Sequence, residues 1–227
     1  MTPAPLVLLD LDGTLTDSAP GIIASARAAY SAIGLPAPDG ATLRTFVGPP
    51  IVDSFLAHAV PAERIPEAIA AYRRFFVSGG MFDNAVFDGV PQVLRSLRAA
   101  GVTLLVATSK PTLYARPIAD HFGLTPLLDG VFGAPPDDVP SSKATVIAEA
   151  LAFLGADGFD PARTLMVGDR EHDVLGARVH GIDTLGAGWG YARPGELEDA
   201  GAVAVLAEPA DLAAAAGDRL GVSARTV

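Results

Sequence analysis

The stretch Leu6-Val7-Leu8-Leu9-Asp10-Leu11-Asp12-Gly13-Thr14-Leu15-Thr16 decides the fold. Its first four residues form a short uninterrupted apolar run, the pattern of a strand buried on both faces of a parallel sheet. Two carboxylates, Asp10 and Asp12, follow at once, and open α/β sheets bind their ligands at the carboxyl ends of their strands. Gly13 permits a tight turn close to such a ligand.

Beyond Thr16 the pattern becomes helical. Ser18 and Pro20 read as a helix start, and Ile22, Ile23, Ala26, Tyr30 and Ile33 recur at helical spacing until Gly34 stops them. Asp39 is placed to cap a segment running to Val47, Gly48-Pro49-Pro50 interrupts, and helices follow over 51–59 and 66–77. No strand is expected in this region. From Gly89 the chain alternates: helix 91–100, strand 102–107, helix 112–122, a short strand near Val131, helix 142–154, strand 164–167, helix 171–179, strand 182–185, a weaker strand 202–206 and an Ala-rich terminal helix. The expected fold is α/β, a doubly wound (Rossmann-like) parallel sheet with an inserted α-helical cap domain. The core domain takes 1–15 and 87–227 and the cap 16–86, so that cap motion can gate the site at Asp10.

Composition narrows the functional classes. With 227 residues, half of them hydrophobic, the chain can bury a substantial core. Its net charge of −10 repels nucleic acid polymers and anionic membranes, so any anionic ligand must enter through a local positive site. The absence of cysteine excludes disulfides and a thiol nucleophile. No apolar run reaches the ~20 residues that span a bilayer, and the N-terminus lacks signal-peptide features. The expectation is a soluble cytoplasmic protein, monomer or homodimer, with no nucleic acid or membrane partner.

Other strand ends carry polar residues suited to phosphoryl transfer. Thr108, Ser109 and Lys110 follow Leu104-Leu105-Val106-Ala107; Gly168, Asp169, Arg170, Glu171, His172 and Asp173 follow Leu165-Met166-Val167; Lys143 opens a helix between them. Phosphoryl transfer needs an in-line nucleophile, cations against the spreading charge and a proton donor for the leaving oxygen. Asp10 can attack phosphorus, and Asp12 can protonate the leaving alkoxide and later deprotonate water. Thr108 and the Ser109 N–H can hold phosphoryl oxygens, and Lys143 supplies positive charge. Asp169 and Asp173, with Asp10 and the Asp12 carbonyl, form an all-oxygen set suited to Mg²⁺.

In this order, Asp10 with Asp12, Thr108, Lys143, then Asp169 with Asp173 resemble the four motifs of the haloacid dehalogenase-like hydrolases. The resemblance covers nearly the whole chain and implies a magnesium-dependent phosphatase acting through an aspartyl phosphate; Asp12 argues against dehalogenation, because a dehalogenase of this family lacks an acid there. Asp-Gly-Thr-Leu-x-Asp-Ser and Thr-x-Lys are similar to the phosphoglycolate phosphatase-like subgroup with its helical cap. The Gly48-Pro49-Pro50 turn looks like that of members described as 5'-nucleotidases. Phosphoglycolate and nucleoside 5'-monophosphates are therefore the named substrate candidates. A phosphohexose mutase and a non-enzymatic regulator on the same fold are the alternatives.

In the cap, Arg44 and Gly48 are candidate substrate contacts, with Ser109 from the core. Phe55, Tyr72, Phe75 and Phe76 read first as the cap's own packing and second as a stacking surface. Asp17 reads as a helix cap or hinge residue. Lys110 is poised between surface and site, and His172 lies outside an oxygen-ligand set. Similar sequences often carry a basic residue shortly before the lysine of the third motif. Here Asp137, Asp138, Ser141 and Ser142 precede Lys143, a departure that bears on recognition of a second anionic group.

Overall fold

A computed structural model describes residues 3–136, 141–155 and 158–223; Asp137 and Asp138 lie outside these. Strand β1 (Leu6–Leu9) lies inside a parallel sheet with β4 (Thr103–Pro111), β5 (Gly130–Ala134), β6 (Thr164–Gly168), β7 (Asp183–Ala187) and β8 (Ala204–Leu206). The strand order is β5-β4-β1-β6-β7-β8. The chain builds outward from β1 through β4 to β5, then returns to β1's other side for β6. Crossovers that separate on the two sides of a strand leave a crevice at its carboxyl end, and Asp10 stands there.

Strand alternation sorts the core into two layers. Leu6 and Leu8 point with Leu105, Ala107 and Met166 toward α7 (Lys143–Ala152) and α8 (Glu171–Arg178). Val7 and Leu9 point with Leu104 and Val106 toward the opposite layer, where α5 (Val90–Ala99), α6 (Thr112–His121) and α10 (Leu212–Leu220) pack. By the same parity Asp10 continues the Leu6 and Leu8 side. That is the side on which α7 presents Lys143 and α8 presents Asp173.

The segment between β1 and α5 is helical, as its apolar spacing predicts: α1 (Ala19–Ala32), α2 (Gly40–Arg44), α3 (Ile51–Ala57) and α4 (Ile65–Val77). Asp39 caps α2 by accepting from Thr42 N at 2.8 Å. Tyr30, Phe46, Phe55, Tyr72 and Phe76 form a chain of ring contacts with centroid separations of 5.5–6.5 Å. Two short strands flank the helical segment where none was expected. β2 (Thr16–Asp17) pairs antiparallel with β3 (Ala85–Val86), joining the outgoing and returning chain in a two-stranded ribbon. Runs of two residues carry no readable periodicity, so the sequence cannot announce them.

Strand β4 also runs further than its apolar run. It continues through Thr108, Ser109 and Lys110 to Pro111, with a register shift against β5 between Thr108 and Pro111. An irregularity of this kind re-aims side chains, and it sits at the three residues that the sequence marks for chemistry.

Gly21 shows how tightly the chain that leads into β3 packs on α1. Its N–H donates to Asp83 O at 2.9 Å, and a Cβ built on it would lie 1.9 Å from the Gly80 carbonyl oxygen. Helix propensity alone favours Gly21→Ala by about 1 kcal/mol, but the obstructing atom is backbone and cannot swing aside. Gly21→Ala is therefore expected to destabilise the protein, by about 1–2 kcal/mol net, read as a lower urea midpoint at unchanged m-value. A stabilised variant would mean that the Gly80 turn does not seat on α1.

Candidate active site

Asp10, Asp12, Thr108, Lys143, Asp169 and Asp173, drawn from four separate segments, are all buried at the carboxyl edge of the sheet. Lys143 Nζ lies 2.7 Å from Asp10 Oδ1, 2.7 Å from Asp173 Oδ1 and 3.0 Å from the Ala107 carbonyl oxygen. The helix start that delivers it is capped by Ser142, whose Oγ accepts from Thr145 N at 3.2 Å. Burial by itself would push the Lys143 ammonium down, but the Asp10 and Asp173 carboxylates outweigh it and hold the pKa above the ordinary lysine value.

Asp169 completes the group. One carboxylate oxygen from each of Asp10, Asp169 and Asp173 lies within 4.8 Å of the others. Asp169 Oδ2 accepts from Tyr191 N at 2.8 Å, and Asp173 Oδ2 accepts from Arg170 N at 3.1 Å. Gly13, at φ 84°, passes so close that a Cβ there would stand 2.2 Å from Asp169 Oδ2. The turn after β1 therefore requires glycine both for its left-handed backbone and for the room it leaves Asp169.

Three buried carboxylates face one lysine, and the imbalance shows in Asp169. Burial, then repulsion from Asp10 and Asp173, raises its carboxyl well above the usual range. Burial also raises Asp173, against the pull of Lys143. A hard divalent cation relieves this repulsion, and an all-oxygen donor set of this kind fits magnesium. Asp10, Asp169 and Asp173 are the side chains placed to hold it. The Asp12 carboxylate is not among them, in keeping with an expected contribution from its backbone carbonyl alone: its Oδ2 pairs with Lys110 Nζ at 3.1 Å, and its Oδ1 is buried with no hydrogen-bond partner among the described residues.

Lys110 is thus a buried member of the site. The irregularity in β4 turns it inward, and its ammonium also lies 4.7 Å from the centroid of Phe76. Thr108 is where the sequence expects it, with its Oγ1 accepting from Lys110 N at 3.2 Å. Ser109 and Gly48 both line the cavity that opens above Asp12. Arg44 does not: its guanidinium carbon sits 5.6 Å over the Tyr191 ring, and the residue is exposed. The reason is the direction of α2, which points Arg44 away from the cavity and toward the loop after β7. His172 is exposed, outside the oxygen cluster.

Sequence reasoning missed two residues that hold the helical segment to this edge. Tyr191 donates its hydroxyl to Asp17 and accepts from Ala19 N at 3.1 Å, so Asp17 does sit where the ribbon meets α1. Burial and the Asp17 partner raise the Tyr191 phenol. Arg170, next to Asp169, donates from Nη1 to Val47 O at 2.6 Å and from Nε to Glu196 Oε1 at 2.8 Å. Glu196 also accepts from Glu171 N and Arg193 N, both at 3.1 Å. Neither Arg170 nor Glu196 belongs to a periodic pattern. Only the adjacency of Arg170 to Asp169 was visible as a signal.

The family model described as haloacid dehalogenase-like hydrolase matches residues 7–187. The chain is similar to the tyrosine-protein kinase PtkA of Mycobacterium tuberculosis, 48% identical over 188 residues, covering 83% of this chain and 63% of the relative, so it spans under two thirds of that protein's length. It is similar to a 5'-nucleotidase of Pseudomonas aeruginosa, 39% identical over 194 residues, covering 85% of this chain and 86% of the relative. Among solved structures, a haloacid dehalogenase-like hydrolase of Streptococcus pneumoniae superposes with a TM-score of 0.86 at 31% identity, covering 95% of this chain and 99% of the other.

The Glu196 carboxyl carries a pH-dependent share of stability. Burial alone would raise its pKa, but the Arg170 side chain and the Arg193 and Glu171 N–H groups outweigh it and hold it at about 2, against an ordinary 4.5. A depressed carboxyl pKa stabilises the fold fully above the unfolded value and loses that contribution as pH falls through the window to the folded value. Glu196→Gln is expected to cost about 1–3 kcal/mol near neutral pH, with the gap from wild type closing between pH 4.5 and about 2. Urea unfolding of both proteins across that range checks it, and a constant gap would assign the loss to packing.

Proposed function

The chain belongs to the haloacid dehalogenase-like hydrolase family, with relatives named as phosphatases and a 5'-nucleotidase beside one named as a kinase, and on that premise we propose that it hydrolyses small-metabolite phosphate monoesters with magnesium through an aspartyl phosphate on Asp10. The observation that carries this reading is the buried set of Asp10, Lys143, Asp169 and Asp173 beside a separate Asp12. Residues 16–86 would serve as a cap and the remainder as the catalytic core.

Asp10 would attack phosphorus from the α7 and α8 side of the crevice while Lys143 and the Thr108 hydroxyl take up charge on the phosphoryl oxygens. Magnesium, held by Asp10, Asp169 and Asp173, would neutralise phosphoryl charge. Asp12 has the right separation of roles. Its carboxylate stands apart from the metal cluster, and its unpartnered Oδ1 is available to carry a proton to the leaving alkoxide and then to take one from water. The release of a protonated alcohol and of inorganic phosphate in two displacements closes the cycle, with Asp10 regenerated.

The kinase name of one relative sets a second reaction against this one, in which Asp10 would take the γ-phosphoryl group of ATP, releasing ADP, and pass it to a tyrosine hydroxyl instead of to water. A panel of phosphorylated metabolites, including phosphoglycolate, sugar phosphates and nucleoside monophosphates, alongside ATP with a tyrosine peptide, separates the two when run with Mg²⁺ and with chelator. Magnesium-dependent phosphate release is the expected result; peptide phosphorylation without release would overturn it. Asp10→Asn is expected to lower kcat more than about 10³-fold on every substrate. Asp12→Asn is expected to lose about 10²-fold on alkyl phosphates and much less on 4-nitrophenyl phosphate, whose leaving group needs no proton. Equal losses on both would remove Asp12 from the proton-transfer role.

A further inference from the structure

Resting on the phosphatase reading, we propose that the cavity above Asp12 takes esters of a neutral alcohol that carries an aromatic ring, and rejects alcohols that bear a carboxylate or a second phosphate. The cavity measures about 350 Å³, the size of a small-ligand site. One wall carries the buried rings of Phe46, Tyr72 and Phe76 from the helical segment and the half-buried ring of Tyr114 from α6, with Pro49 and Ile51 at the turn. Tyr72 stacks on Phe76 at 5.5 Å, and Phe76 meets Tyr114 edge-on at 5.3 Å, so a ring entering the cavity extends an array of ring contacts already in place.

The charges nearby work against an acidic leaving group. Asp12 and Asp53 line the cavity with a single cation, Lys110, among the described residues. Lys110 is already committed, paired with Asp12 at 3.1 Å and set over Phe76. Two further cations near the cavity are committed as well: Arg170 to Glu196 and Val47 O, Arg44 to the face of Tyr191. A carboxylate on the alcohol would give up part of its hydration to enter a cavity lined by the exposed Asp53, the Asp12–Lys110 pair and the hydroxyls of Ser109 and Ser141, where among the described lining residues no cation is left to pair with it. The phosphoryl group would instead meet Lys143 and the cation that Asp10, Asp169 and Asp173 would hold, residues that do not line this cavity. The cavity's charge therefore favours ring-bearing neutral esters over phosphoglycolate.

The test is kcat/KM with Mg²⁺ for two matched pairs, phenyl phosphate against 4-carboxyphenyl phosphate and adenosine 5'-monophosphate against phosphoglycolate. A second readout is calorimetric binding of benzylphosphonate against phosphonoacetate, neither of which turns over. The neutral aromatic member of each pair is expected to lead by about tenfold or more, and Asp53→Lys is expected to narrow the gap in the carboxyphenyl pair through KM. Release from every ester with equal or acid-favouring rates overturns the cavity assignment and leaves the phosphatase reading standing. No release from any ester overturns the phosphatase reading, and the cavity assignment then stands or falls on the phosphonate preference.

Discussion

The site depends on one buried imbalance of charge, three carboxylates around a single lysine at the carboxyl end of β1. Isolated, each of these groups would pay heavily for leaving water. Together they are held by Lys143, which pairs with Asp10 and Asp173, and by backbone N–H groups of Arg170 and Tyr191. Removing any one partner strands a buried charge, so α7, α8 and the loop after β7 are obliged to converge on the same point. What remains uncompensated falls on Asp169 above all, whose carboxyl is held well above the usual range by burial and by the neighbouring Asp10 and Asp173.

The second constraint is the attachment of the helical segment to that edge. It leaves the core through Thr16 and Asp17 and returns through Ala85 and Val86, a ribbon only two residues long on each side. Tyr191 and Arg170 add contacts from the core, one to the start of α1 and one to the turn at Val47. Arg170 follows Asp169 directly, so the residue that positions the turn over the cavity is covalently next to a candidate metal ligand. The aromatic array of the helical segment then ends at Tyr114 of α6, and the cavity lies where the two layers meet.

Much of the frame is legible in the chain because the periodicities are strong. Leu6 to Leu9 reads as a buried strand and proves to be an interior strand of the sheet, with all four residues buried. The helices of residues 19–77 follow from apolar spacing and from Gly34, Asp39 and Gly48-Pro49-Pro50 between them. Asp10, Thr108, Lys143, Asp169 and Asp173 are all marked by their place at the end of a strand or the start of a helix, and the fold brings them together. Arg44 fails for the opposite reason. Its neighbours in sequence point to the cavity, but five residues of α2 turn its side chain toward Tyr191, and helix direction in space is not written in local pattern.

The amino-acid sequence by itself determined the layer architecture, the strand ends and the identity of the acidic and basic groups, because hydrophobic period and turn chemistry are local properties that short windows express. Only the tertiary structure decided who pairs with whom. Lys110 belongs to Asp12 because a register shift in β4 turns it inward, Glu196 governs Arg170 across 26 residues, and the cavity's ring-lined, cation-poor wall comes from segments as far apart as Phe46 and Tyr114. Burial makes such pairings consequential: a charge in water is nearly indifferent to its neighbours, while a charge removed from water takes its behaviour from whichever groups the fold sets within reach.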